Sequence, residues 1–482
     1  MKNNKIIQIS MFVLLGFSLT LSSCKKEFLD LKPYTALPVA DALKSEADLQ
    51  VALRGAYAGL RGVDLFGRSV PVLGDIMGDN VYQSAQNSNR YTNYNQYLHN
   101  VTDGNAQGMW QQGYNVILRC NNIINSAVGA NANVNQYKGE AYAIRALTYF
   151  TLVRFFAKPY TQDPTALGVP IITVFDQNLK PGRAKISEVY TLILADLAQA
   201  YTLMTLFVNT SQFSKYAAKG LEAKVHLTKG DMPAALTAAN DVINNGGFTA
   251  VTTTNYASYW GNPTIGTVKL ETLFEVSSDA VGNLAFDALG YIYNQAGYGD
   301  MICSDDLANL YSATDVRKTA VLQLGTRASL PAWFVRKYLN IATDRDDTKL
   351  IRLADIYLIA AEASAPVNET NARTFLNFVA TRRDASFTGY TSTGAALVSD
   401  IIQERRKELA FEGIISPEDK NNLIKRFKIE AEIALLLNHQ NIVRVFDSGE
   451  FDSKYFIVME FLTGKNLKEL IVEKKAFTND EL

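Results

Sequence analysis

The side chains most able to do chemistry in this 482-residue chain are three histidines, three cysteines and a short aspartate run. His99, His226 and His439 are scattered, and no spacing puts two of them on one metal ion. Asp344, Asp346 and Asp347 in TDRDDTK lack the glycine and distal glutamate of an EF-hand loop, which predicts a solvated turn rather than a calcium site. Cys120 and Cys303 match no metal or redox spacing and are expected to be buried free thiols. The chain has no G-x-S-x-G, no Walker motif and no G-x-G-x-x-G. No catalytic residue, metal or cofactor is therefore predicted.

Binding chemistry is concentrated elsewhere. DNVYQSAQNSNRYTNYNQYLHN, Asp79 to Asn100, is packed with Asn, Gln and Tyr. FDALGYIYNQAGYGDMICSDD, Phe286 to Asp306, is similar and rich in glycine. Aromatic faces and polar side chains together suit a sugar, whose C–H faces stack on rings while its hydroxyls hydrogen-bond. Of 24 Tyr, all but Tyr455 precede residue 416, as do all three Trp. The candidates are Tyr82, Arg90, Tyr91 and Tyr94 in the first stretch, Tyr293 and Tyr298 in the second, and Trp333 in LPAWFVRKY. The competing use of any one ring is core packing.

Helices must position these stretches. Leu49, Leu53, Ala56, Tyr57 and Leu60 share one helical face, and Tyr114, Ile117, Leu118 and Ile124 another. YKGEAYAIRALTYFTLVRFFAKPY is apolar almost all round, stops before Pro159, and should be deeply buried. SEVYTLILADLAQAYTLM offers Ser187 as an N-cap. Two helix pairs follow, one turning at Gly230-Asp231 and stopping at Gly246-Gly247, the other running from Thr348 to Arg383. Small residues (Ala217, Ala218, Gly220, Ala223; Ala360, Ala361, Ala363) would let paired helices approach closely. The expected class is mainly α: an irregular tetratricopeptide-like scaffold of helix pairs with long loops. A net charge of -1 offers no basis for a nucleic-acid partner.

The N-terminus has Lys2 and Lys5, then the apolar run Ile6 to Leu21, then LSSC. It resembles a bacterial lipoprotein signal, with 1–23 removed and Cys24 acylated. Several acyl chains, at about 0.8 kcal/mol per buried CH₂, would anchor the chain without a spanning helix. The alternative is an uncleaved membrane anchor, for which the apolar run is short.

Residues 24 to about 413 resemble the SusD/RagB family of outer-membrane nutrient-binding lipoproteins. The segments carrying this are the lipobox with EFLDLKP, LRGAYAGLR, GEAYAIRALTYFTLVRFFAKPY with GVPII, ISEVYTLILADLAQA, KYAAKGLEAKVHLTKGDMPAALTAANDVI, IRLADIYLIAAEA and ERRKELAFEG, in that order. The resemblance implies a lipid-anchored, outer-membrane, cell-surface protein that binds glycans or other nutrient oligomers. It also implies a SusC-like TonB-dependent transporter as partner, and no enzymatic activity.

After Gly413 the style of the sequence changes. Charged residues number 22 among the 67 from Ser416, about a third, against 71 among the 391 from Lys25 to Ile415, under a fifth. Residues 414–482 resemble an incomplete N-lobe of a bacterial Ser/Thr protein kinase, expected as helix, β-hairpin and helix. The resemblance puts Glu430 on the αC-like helix, Met459 at the gatekeeper position and Glu460 in the adenine-contacting stretch. No glycine-rich loop, strand lysine, catalytic-loop aspartate or metal-binding aspartate accompanies them, so these remnants are expected to be inert. Two other readings are a degenerate kinase with a helical sensor and a helical-repeat scaffold for protein partners.

Overall fold

The computed structural model describes residues 42–98, 100–176, 178–261, 266–268, 270–341, 346–413, 443–451 and 454–460. The signal segment, Cys24, His99, Asp344, Glu430, His439 and the helices expected in the kinase-like tail lie outside the described residues.

Helix pairs form the frame, as the periodicity predicts. Helix α1 (Glu46–Leu60) starts at a capping box, in which Ser45 Oγ accepts from the Asp48 amide and Asp48 accepts from the Ser45 amide. After α2 (Ser69–Met77), strand β1 (Val81–Gln83) and the short α3 (Thr92–Asn95) come the long α4 (Gly104–Ile124) and α5 (Ala132–Phe156). α6 (Ile186–Leu203), α7 (Lys215–Lys229) and α8 (Met232–Asn245) continue the stack, each packed on its predecessor. The buried face of α4 is Met109, Gly113, Val116, Ile117, Cys120 and Ile123, so Tyr114, Leu118 and Ile124 flank it.

α5 is buried along most of its length, and two of its charged side chains are buried with it. Arg145 grips Asp196 of α6 bidentately at 2.8 and 2.7 Å and donates to Asn121 of α4 at 2.7 Å. One guanidinium thus ties three helices, and pairing is what makes its burial tolerable. The N-cap of α6 is Lys185, not Ser187. The Glu188 carboxylate accepts the Lys185 amide at 2.8 Å, which starts the helix earlier than the serine suggested. Gly230, at φ +82°, closes α7 in a conformation that an L side chain would strain, and Asp231 caps α8.

The intervening stretches are less loop-like than expected. α9 (Tyr256–Gly261) precedes β2 (Thr272–Val276). A 3₁₀ turn (Ala285–Asp287), α10 (Leu289–Tyr293), β3 (Met301–Cys303) and α11 (Asp305–Ala308) follow, then α12 (Val316–Val321), β4 (Leu322–Arg327), β5 (Leu330–Val335) and β6 (Thr348–Arg352). β1, β3, β5 and β4 make one antiparallel sheet in that order, and β2 pairs β6 in a buried ribbon. The last helices are α13 (Leu353–Ser364), α14 (Glu369–Arg383) and α15 (Gly394–Leu409). Ala217, Ala218, Gly220 and Ala223 of α7 are buried, as are Ala360, Ala361 and Ala363 of α13. A Cβ on Gly220 would meet Leu273, Ile351 and Ile356 at 3.0–3.1 Å, so this small residue sets the approach of α7 to the ribbon.

In the tail, β7 (Val445–Phe451) and β8 (Lys454–Met459) form the expected hairpin. Phe446, Val458 and Met459 are exposed on it. Glu460 exchanges backbone and side-chain hydrogen bonds with Arg444.

A buried ionic network joins α12, β6, α14 and α15. Arg352 contacts Glu271 at 2.6 Å, Glu408 at 2.8 Å and Glu412 at 2.7 Å. Arg383 contacts Glu271 at 2.8 Å and Glu408 at 2.9 Å. Arg317 contacts Asp315 and Glu404 at 2.7 Å and Glu408 at 3.0 Å. Lys337 contacts Glu412 at 2.6 Å, and Lys407 contacts Glu404. Five cations thus meet five carboxylates. Burial would raise the Glu408 carboxyl, but Arg383, Arg352 and Arg317 outweigh it and hold the group well below the ordinary range.

Two predictions follow from these buried charges. Glu408→Ala leaves three buried guanidinium groups short of a counter-charge and should cost at least about 3 kcal/mol of stability. An unchanged denaturant midpoint would contradict the role given to the network. Asp75 is buried with Oδ1 accepting from the Phe411 and Asn80 nitrogens and Oδ2 unpartnered, and burial pushes it from 3.8 to about 7. The folded chain therefore keeps a proton that the unfolded chain releases, so this group's contribution to stability is lost as pH rises from about 4 to 7. Asp75→Asn should remove that loss, gaining on the wild type by a few kcal/mol between pH 4 and pH 8. Parallel pH–stability curves would refute it.

Candidate functional site

The two polar stretches are stitched together rather than hanging free. β1 pairs β3 through Val81–Cys303, Tyr82–Ile302 and Gln83–Met301. Asp300, fully buried, accepts the Ser88 amide at 2.9 Å and the Ser88 hydroxyl, and its carbonyl accepts the Ser84 amide at 2.7 Å. Arg406 of α15 donates to Asn80 Oδ1 at 2.9 Å and to the Asp79 carbonyl at 3.1 Å, fixing the start of the first stretch.

An aromatic platform sits on this seam. Phe286 meets Tyr291 edge-on at 5.0 Å, and Tyr291 meets Tyr298 at 5.7 Å. The Arg90 guanidinium lies over Tyr298, 4.5 Å from the ring centre. It also donates to Ser88 Oγ at 2.7 Å and faces Asp287 at 3.5 Å and Asp300 at 3.7 Å. Arg68 pairs with the same Asp287 oxygen. The turn carrying Tyr298 requires glycine: Gly299 lies at φ +54°, and a Cβ on Gly297 would come within 2.7 Å of the Tyr291 carbonyl. That carbonyl accepts the Tyr298 amide at 2.7 Å, holding the two rings together. Asn89, Tyr91 and Ala285 sit at positive φ in the same segments, and such strain tends to be retained where a surface must be shaped.

Of the candidate residues, Arg90 and Tyr298 are brought into contact. Tyr82, 41% exposed, lies on the sheet face of Ile302, Ala332 and Phe334. Trp333 is on the opposite face, in register with Cys303 and Leu324, with Lys318 5.8 Å over its ring. The remaining tyrosines are core. Tyr91 is 4% exposed, and its hydroxyl accepts from Arg68 Nε at 2.8 Å and lies 3.0 Å from Ser69 Oγ. Burial pushes this phenol up, against the pull of Arg68. Tyr94 donates to Asp103 at 2.8 Å, and Tyr293 is fully buried against Tyr338 and Phe411. Local composition could not separate these from surface rings, because what buries them is distant in sequence. Phe286, Tyr291, Asp287 and Arg68 were not singled out, although the first three stand in the quoted second stretch.

The platform offers stacking faces, two guanidinium groups and carboxylates. Among the described residues no group of three His, Cys, Asp or Glu side chains is arranged to hold a metal. Asp346 accepts the Asn340 amide, and Asp347 is buried on the Ser278 amide, where burial and Glu275 push it up to about 8. These two are turn and core residues, not a solvated cluster. Cys120 and Cys303 are buried free thiols, as expected.

The comparisons agree with this frame. Residues 27–227 match the family profile described as starch-binding, associating with outer membrane, and residues 332–414 match the profile of the SusD family. Residues 27–414 belong to the SusD/RagB family. A SusD superfamily crystal structure from Bacteroides thetaiotaomicron superposes with a TM-score of 0.71 at 27% identity, covering 77% of this chain and 88% of that one. SusD-like protein P2 of Formosa agariphila is 31% identical over 251 residues, 50% of this chain and 46% of its own. The chain spans about half the length of the curated relatives of this family that it matches. Separately, the serine/threonine-protein kinase PrkC of Bacillus subtilis is 43% identical over 75 residues, 16% of this chain and 11% of the kinase. Met459 is exposed on the hairpin, and the Glu460 backbone is bonded to Arg444. Among the described residues no helix is long and apolar enough to cross a membrane.

The split between platform and core rings can be measured. Tyr91→Ala should lose about 3 kcal/mol of stability, as large core truncations do, whereas Tyr298→Ala should lose less than about 1 kcal/mol. Equal losses in urea unfolding would contradict the partition.

Proposed function

We propose that residues 24–413 form a glycan-binding lipoprotein, anchored through Cys24 in the outer membrane and facing the cell exterior. It captures oligosaccharides and passes them to a SusC-like TonB-dependent transporter. The observation that carries the ligand class is the Phe286–Tyr291–Tyr298 platform with Arg90 laid on it. Phe286 is 63% exposed although apolar, which is the condition for stacking on a sugar face rather than on the core. Arg90, Asp287 and the neighbouring amide side chains supply hydroxyl partners. The description attached to the matching profile, starch-binding and outer-membrane associated, supports the same ligand class and place.

Binding, not catalysis, is the function the site supports. A ring platform with paired arginines has no nucleophile held by a base. The kinase-like tail supplies no phosphoryl-transfer machinery in the residues present, since phosphate loop, lysine and metal-binding aspartate are all missing from its sequence. Nutrient oligomers other than glycans would use the same rings less selectively.

Glycan-array screening of the full chain, followed by calorimetry, tests this reading. Tyr298→Ala and Phe286→Ala should each weaken the best array ligand about tenfold, equivalent to 1.4 kcal/mol. Unchanged affinity in both would remove the platform from the binding site, and an array without binders would overturn the ligand class.

A further inference from the structure

A second cleft, sharing no lining residue with the platform described above, opens beside α1. It has a volume of about 360 Å³ and is walled by Arg54, Tyr57, Arg61, Ser211, Ser277 and Asp279, among others. That volume is within the range of small-molecule sites, roughly 300–1,000 Å³. Two of its side chains are immobilised. Arg61 Nη1 donates to the Ser277 carbonyl at 3.0 Å, and the Gly282 loop packs closely on its guanidinium, a Cβ there falling 2.3 Å from Nη2. Tyr57 spends its hydroxyl on Glu140 at 2.6 Å, leaving its ring as a wall.

The charge in the cleft is unbalanced. Asp279 Oδ1 accepts the Val281 and Gly282 amides at 2.8 and 2.6 Å, turning that oxygen into its own loop. Arg54 is exposed and forms no ion pair with a carboxylate among the described residues. Two guanidinium groups thus line the cleft with one carboxylate, Arg61 bonded to a carbonyl and Arg54 without an ion pair among the described residues. A guanidinium fork matches a carboxylate or sulfate with two parallel hydrogen bonds. The Tyr57 ring and the Ser211 and Ser277 hydroxyls beside it match a sugar ring.

We propose that this cleft is a second saccharide subsite, one that takes sugars carrying a carboxylate or a sulfate, with Arg54 pairing to the anion. The proposal rests on the glycan reading above. It makes the protein a reader of acidic residues within an oligosaccharide rather than of neutral units alone.

The test is calorimetry on the full chain at low ionic strength with three probes: trigalacturonate, a chondroitin sulfate tetrasaccharide and neutral maltotriose. Arg54→Gln is a surface change and should leave the melting temperature unaltered. It is expected to weaken at least one acidic probe roughly tenfold, the loss of a charge-assisted pair, and to leave any neutral binding untouched. The acidic probe that responds distinguishes carboxylate from sulfate. Wild-type affinity in Arg54→Gln for both acidic probes, or no binding of either by the wild type, overturns the proposal. If Tyr298→Ala alone abolishes acidic binding, the anion is read at the platform and the cleft is overturned. If Arg54→Gln abolishes acidic binding while Tyr298→Ala leaves every probe unaffected, the cleft stands and the platform reading fails.

Discussion

Glu408 is the residue on which the rest of the helical domain converges. It contacts Arg317, Arg352 and Arg383, which come from α12, the end of β6 and the end of α14. A buried carboxylate among three buried guanidinium groups has no tolerable alternative partner. The desolvation cost of leaving any one unpaired is several kcal/mol, so the elements that carry them are fixed relative to one another. Hydrophobic packing sets the spacing of the helix pairs, but it is tolerant of small shifts. Charge-assisted hydrogen bonds at 2.6–3.0 Å are not.

The sequence ERRKELAFEG does this work almost alone. Glu404, Glu408 and Glu412 enter the network. Arg405 reaches Glu362 on α13 at 3.2 Å, and Arg406 holds Asn80 and the Asp79 carbonyl. The Phe411 amide donates to Asp75, and the Phe411 carbonyl accepts from Tyr338. Ten residues therefore reach the helical frame, the sheet and the start of the first polar stretch. The aromatic platform is tied to the frame by a chain of contacts: α15 holds residues 79–80, β1 follows, β1 pairs β3, and Asp300 ties the two stretches just before β3 begins.

What was legible in the sequence follows the range of the interactions. The helix pairs were readable because a 3.6-residue period, the Gly230 and Gly246 stops and the small residues at crossings are local signals. The pairing of β1 with β3 was not, because both are three residues long, embedded in polar sequence and more than two hundred residues apart. The same limit explains the site. Tyr91, Tyr94, Tyr293 and Tyr298 share similar sequence surroundings, yet only Tyr298 joins the platform. Tyr91 is taken into the core by Arg68 and Ser69, and Tyr293 by Tyr338 and Phe411. Composition singled out the two stretches, and tertiary contacts decided which of their rings are buried.

The last described residues of the helical region are held by the same physics. Glu412 gives its two oxygens to Arg352 and Lys337, and Gly413 follows at φ +72°. A Cβ there would come within 2.5 Å of Pro71, so the chain leaves α2 at a point where only glycine passes. Among the described residues, Glu412 is the last carboxylate in this network. The charge density of the sequence rises just after Gly413. The platform residues, the residues lining the cleft beside α1 and the ionic network all lie before Gly413.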